Sequence, residues 1–120
     1  MELAELSRRA VAVRSRYAAV ETGLGGVPWS RAELAQGFAG DVGVLMKLVM
    51  AKEGRREGPP ELEAKLEHEL ADCLWSVLVL ADAYGVNLEQ AFATTMAALE
   101  RKLAAAPAGS RGPEGRGIVT

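Results

Sequence analysis

Glu69 and Asp72 are the residues whose type and spacing could do chemistry, inside Leu66-Glu67-His68-Glu69-Leu70-Ala71-Asp72-Cys73-Leu74-Trp75. At about 3.6 residues per turn, side chains three apart share one face of a helix. The rest of the segment reads as a buried helix. Acids are seldom buried unless they are paired or bound to a cation. Two carboxylates beside a core stripe therefore point to a divalent-metal site. The competing reading is two solvated acids on a polar flank, because helix surfaces are commonly acidic.

An earlier segment repeats the arrangement. On a wheel of about 100° per residue, Asp41 and Val44 sit beside the Val42–Met46–Val49 stripe as Glu69 and Asp72 sit beside Leu70–Leu74–Val77. Paired antiparallel, these helices would direct three carboxylates and one valine at a common space. Gly37, Gly40 and Gly43 lie nearby, each costing a helix roughly 1 kcal/mol relative to Ala. They provide either room for a ligand or tight helix packing.

Four helices are expected to position these residues. The first covers 2–20, with a stripe of Leu3, Leu6, Ala10, Val13, Tyr17 and Val20, and breaks at Thr22-Gly23. The second covers 31–53, opened by a Ser30/Glu33 capping box and closed by Gly54. Its core stripe is Leu34, Phe38, Val42, Leu45, Met46 and Val49. The third covers 60–84, with Pro60 in its first turn and Gly85 after its end. The fourth covers 88–105, capped by Asn87. The expected fold is an all-α antiparallel four-helix bundle over 1–106. A Gly/Pro/Arg-rich tail over 107–120 should be flexible. From Cys73 to Ala83 the third helix is apolar nearly all round, including Trp75, Leu78, Val79 and Leu80. A helix apolar on several faces is buried on several faces. A second copy of the chain, as homodimer or homotetramer, is the expected partner there.

Composition narrows the function classes. At 120 residues the chain makes one domain. Only 5% of residues are aromatic, and the abundance of Ala and Leu suits packed helices. A formal net charge of −2 gives no broad pull towards nucleic acid or anionic membrane, so neither is an expected partner. Cys73 is the only cysteine, which excludes an intrachain disulfide and a cysteine zinc cluster. With one histidine, a His-rich metal site is impossible. His68 points away from the Glu69 face and reads as a surface residue. No signal peptide is expected, since Met1 opens a charged amphipathic segment, and no apolar run approaches the ~18 residues of a bilayer span. A cytoplasmic location is expected.

The chain resembles the MazG-like, all-α nucleotide pyrophosphohydrolases over roughly Trp29 to Leu103. The resemblance lies in Glu69-Leu70-Ala71-Asp72-Cys73-Leu74-Trp75, in Asp41-Val42-Gly43 on the preceding helix, and in Ala81 to Phe92 with its Gly-Val-Asn-Leu-Glu turn. It implies hydrolysis of a nucleoside triphosphate to the monophosphate and pyrophosphate. It also implies Asp41, Glu69 and Asp72 as ligands of Mg²⁺, with Mn²⁺ as the alternative ion. Mg²⁺ favours carboxylate oxygens and bridges phosphates. The sequence departs from the family pattern at Val44, where relatives carry a second acid, and at Gly40, where many have Glu. Thr95 and Leu99 replace a Lys and an Asn that often contact phosphate. Lys47 or Lys52 could serve the phosphates instead, although lysines near a helix C-terminus are also simply favourable to its dipole. The alternative is a catalytically impaired relative kept as a nucleotide-binding or dimerisation module.

Overall fold

The computed structural model describes residues 1–107. The protein is all-α, with α1 over Leu3–Gly23, α2 over Arg31–Lys52, α3 over Leu62–Ala83 and α4 over Leu88–Ala105. The described residues contain no strand. The expected tail, from 108 onwards, lies outside the described residues.

Local chemistry sets the helix ends. At α2 the Ser30 hydroxyl accepts from the Glu33 amide at 3.1 Å, and the Glu33 carboxylate accepts from the Ser30 amide at 2.9 Å. This is the expected capping box, a device worth about 1 kcal/mol. Gly54 and Gly85 follow α2 and α3 with φ of +75° and +66°. That left-handed geometry lets Arg55 and Val86 amides bond back to Met50 and Ala81 carbonyls at 2.8 Å. Asn87 caps α4 by accepting from the Gln90 amide at 3.1 Å.

Two boundaries differ from expectation. Helix α1 runs past Val20 to Gly23, because the Thr22 hydroxyl donates to the Ala18 carbonyl at 2.9 Å and keeps the turn helical. The chain then closes through Gly25 and Gly26 amides on Thr22 and Glu21 carbonyls. Helix α3 starts at Leu62 instead of Pro60, because Glu61 adopts a left-handed φ of 58° and leaves Pro60 in the preceding turn.

Residues 1–86 form one compact unit. In it α3 packs antiparallel along α2 and also against α1. The α2–α3 pair is pinned at both ends. The Arg31 guanidinium lies 5.0 Å from the Tyr84 ring centroid, and Lys52 pairs with Glu63 at the other end. Trp75 joins α1 to α3: its indole N–H donates to the Ala10 carbonyl at 3.1 Å, and Tyr17 meets its ring edge-on at 6.4 Å.

The core corrects the expected stripes. Leu34 and Leu48 are the buried residues of α2, with Asp41 midway between them at the same seven-residue spacing. Val42, Met46 and Val49 are each more than a third exposed. On α3 the buried residues are Glu69, Ser76, Leu78 and Val79, while Leu70, Leu74 and Tyr84 are exposed. Leu78 and Val79 are therefore consumed by this chain's own core, and Trp75 by α1. The partner surface expected around those three residues is not available. Apolar residues surround both helices, so apolarity alone left their rotation undetermined. The inward faces carry Leu34, Leu48, Leu78 and Val79 together with Glu69 and Ser76.

Helix α2 has a mean hydropathy of 1.3 over an 18-residue window, so by length and composition it could cross a bilayer. The expectation of no such span rested on an unbroken apolar run, which Gln36, Asp41 and Lys47 interrupt here. The same surplus appears as exposed Val42, Val44, Met46, Val49 and Met50. Helix α4 belongs to a second unit beginning at Asn87. It has no fully buried residue, and it exposes Phe92 and Leu103.

Candidate metal centre and its cavity

The acids sit on two rigid, paired helices. Asp41 lies at the middle of the α2 face bounded by Leu34 and Leu48, and Glu69 is buried on α3 at 8% exposure. Their carboxyls are close enough to share a hydrogen bond when one holds a proton. Asp72, one turn beyond Glu69, is close enough to repel it. Burial first, then the Asp41 and Asp72 charges, push the Glu69 carboxyl above its ordinary 4.5, while His68 acts in the opposite direction. Burial and the same three acids push the Cys73 thiol up from 9.0, which keeps it protonated and inert.

Asp41 and Asp72 also line a cavity of about 650 Å³ among α1, α2, α3 and the α1–α2 loop. That size suits a small organic ligand. Its walls include Tyr17, Trp29 and Trp75, and α1 contributes Arg14 and Glu21. The Trp75 N–H is already spent on Ala10, so that ring offers the cavity only apolar surface. Trp29 lies over Gly37 so closely that a Cβ there would meet its ring at 2.7 Å. Gly37 lines the cavity, and what approaches it closely is this loop indole and not a second helix. Gly40 and Gly43 face open space.

The remaining sequence candidates fall elsewhere. Val44 is 45% exposed and does not line the cavity. Lys47 is exposed, and Lys52 is engaged by Glu63 at the far end of α2; neither lines the cavity. His68 is exposed, but it does not point away from the acids: its Nε2 lies 3.1 Å from the Asp72 carboxylate. Arg14, Tyr17 and Trp29 were not singled out from sequence. Their signal was faint. Tyr17 sat in an apolar stripe, Arg14 beside it, and Trp29 in a Gly/Pro loop.

Carboxylate oxygens suit a hard divalent cation, but the donors that come within 4.8 Å of one another among the described residues are those of His68, Glu69 and Asp72, while Asp41 approaches Glu69. Asp41 and Asp72 each repel the buried Glu69 carboxylate, and no Lys or Arg in the described residues forms an ion pair with the three acids. A cation would relieve that repulsion and favour ionisation of Glu69. The wider cavity can hold a planar aromatic group against Trp29 and Tyr17, and an anionic group near Arg14.

A family model described as the MazG nucleotide pyrophosphohydrolase domain matches residues 33–103. The match runs from the first turn of α2 into the last turn of α4, and so includes Asp41, Glu69 and Asp72 but not Arg14, Tyr17 or Trp29. Comparisons with curated proteins and with solved structures give no match.

Proposed function

The chain belongs to the MazG nucleotide pyrophosphohydrolase domain family, and from that premise we propose that it hydrolyses a nucleoside triphosphate to the monophosphate and pyrophosphate. The observation that carries this is the approach of Asp41 and Asp72, at the cavity wall, to the buried Glu69 behind them. These three residues would hold Mg²⁺, or Mn²⁺ in its place. The bound ion supplies Lewis-acid activation of water and neutralises charge on the phosphates. Glu69, whose ionisation burial and its acidic neighbours disfavour, would be held ionised by such a cation. Asp41 and Asp72, at the cavity wall, would hold it beside the space open to substrate. Trp29 and Tyr17 take the planar base and exclude water from its faces, and Arg14 contributes a positive charge within the same cavity.

The test is pyrophosphate release over ordinary and modified nucleoside triphosphates, with Mg²⁺ and with Mn²⁺. Release of pyrophosphate with matching monophosphate supports the reading. Release of inorganic phosphate and a diphosphate contradicts it. Val44 favours a second reading, a module that binds nucleotide without turning it over, because one acid of the family's cluster is missing. Saturable nucleotide binding without turnover under either metal would select that reading.

We also propose that a second copy covers exposed stripes on α2 and α3, among them Met46 and Leu70. Burying apolar surface gains about 25 cal/mol per Å². Inserting α2 in a bilayer would instead place Asp41 near mid-span, at about 3 kcal/mol. Light scattering of the parent and of Met46→Glu tests this: an oligomer that the substitution dissociates is expected, and a monomeric parent overturns it.

A further inference from the structure

Ser76 is a buried polar residue at the cavity with no task so far. It is 4% exposed and lines the cavity from α3. Its hydroxyl forms no hydrogen bond among the described residues. It does not bond back to the carbonyl four residues earlier, where a helical hydroxyl commonly rests and where Thr22 of α1 does rest. Yet no polar side-chain atom of the described residues is both sealed from solvent and without a partner. The Ser76 hydroxyl therefore opens on the cavity. A buried hydroxyl left unpaired costs free energy, and Ala is the better helix former at the same position. Serine is the poorer choice here unless something in the cavity meets it.

Its level in the cavity indicates what that is. Ser76 lies four residues after Asp72, on the same face and about 6 Å further along the axis. Gly37 lies four residues before Asp41 on the antiparallel α2. The Arg31–Tyr84 and Lys52–Glu63 contacts pair the two helices end to end, and by interpolation Gly37 stands across from the turn that holds Ser76. Gly37 carries the Trp29 ring. The hydroxyl and the indole thus border the cavity at one level, a turn away from the acids. The lining there is otherwise largely apolar, with Leu34 and the Trp75 ring. A lone water needs two to four polar partners, which this lining does not gather around Ser76.

We propose that Ser76 is a specificity-determining residue whose hydroxyl hydrogen-bonds the polar edge of a nucleobase lying against Trp29. This rests on the reading of the cavity as a nucleotide site. It gives that site a group that tells bases apart, which the aromatic rings do not. Stacking accepts every base, because each has a π-face. A hydrogen bond in a site shielded from water does not, because a base that presents no partner leaves the hydroxyl unpaired. The hydroxyl both donates and accepts, so it takes either an amino or a carbonyl group.

Calorimetric titration of the parent and of Ser76→Ala with the four ordinary nucleoside monophosphates, in Mg²⁺, tests this beside the melting temperature of each protein. Ser76→Ala should melt at or above the parent's temperature, since no partner within the protein is lost. Its affinity for the base that the parent binds best should fall about 3- to 10-fold, the worth of one neutral hydrogen bond. The spread of affinities among the four bases should narrow. A fall of equal size for all four places the hydroxyl on sugar or phosphate and overturns the proposal. So do parental affinities in Ser76→Ala, a parent that binds all four equally, or a melting temperature several degrees lower, which would reveal a structural partner. A parent that binds none of the four overturns the nucleotide reading itself, and this proposal with it.

Discussion

The cavity has two unlike sides. Its acidic side is built on α2 and α3, whose ends are pinned to each other and whose side chains the family match includes. Its aromatic side is built on α1 and the loop to α2, from Arg14, Tyr17 and Trp29, all before residue 33 where the match begins. The difference suggests a division of labour. Chemistry that needs several charges in fixed register is placed on paired helices, where each side chain is positioned by its turn. Recognition of a flat ligand needs only apolar faces, and a docked helix and a loop can supply those.

The division predicts that the two sides fail differently. The largest effect should come from the acidic side. On the proposed function Asp72→Asn removes a charge that would hold the cation, and turnover should fall by about 10²–10³-fold, as when one electrostatic contact to a transition state is lost. Its KM should change far less. Trp29→Ala should do the opposite, raising KM by about 5- to 100-fold, the worth of one stacked base, with kcat nearly unchanged. Steady-state kinetics on both variants decides it. If both lower kcat equally, the two sides act as one unit and the comparison fails.

The two sides also differed in how far they could be read from the sequence. Asp41, Glu69 and Asp72 stood out because acids at helical spacing beside apolar stripes are conspicuous, and the 3.6-residue period fixes which share a face. The capping box at Ser30 and the glycine stops at Gly54 and Gly85 were legible for the same local reason. The rotation of α2 was not. Val42, Met46 and Val49 make as good a stripe as Leu34 and Leu48, and only the packing against α3 chooses between them. Arg14 and Trp29 reach the cavity through the docking of α1, which no local pattern encodes. The contact of His68 with Asp72 was legible in principle, because a four-residue spacing puts both on one helix face.

A smaller effect should separate the acids from one another. Glu69 is raised above 4.5, so between 4.5 and its higher folded value the folded chain holds more protons than the unfolded one. Metal-free stability should therefore fall as pH rises through that window. A metal takes the ionised carboxylate, so the metal-dependent rise in melting temperature should grow over the same window. Glu69→Gln should flatten both trends and raise the metal-free melting temperature at neutral pH. Val44→Glu probes the missing acid: it should lower the metal-free melting temperature and be rescued by millimolar Mg²⁺, since a ligand of the folded state stabilises by mass action. Rescue no larger than the parent's would mean position 44 does not face the cation.

The smallest effect is expected at Gly37, where the two sides touch. This glycine lies on α2, the helix of Asp41, yet its open face is occupied by the Trp29 ring. An added Cβ would stand 2.7 Å from that ring, so the indole must move. It can do so at little cost, because Trp29 sits on a loop and is half exposed. Alanine is the better helix former by roughly 1 kcal/mol, which opposes whatever packing the indole loses. Gly37→Ala should therefore leave the melting temperature within a few degrees of the parent, or slightly above it. The displaced indole should still raise KM, by less than Trp29→Ala does, with kcat unchanged. Stability and substrate affinity would then move independently at one atom's cost. A parental KM in Gly37→Ala, beside a raised one in Trp29→Ala, would show that the indole serves the substrate without lying against α2, and the aromatic side would then be independent of the helix that carries the acids.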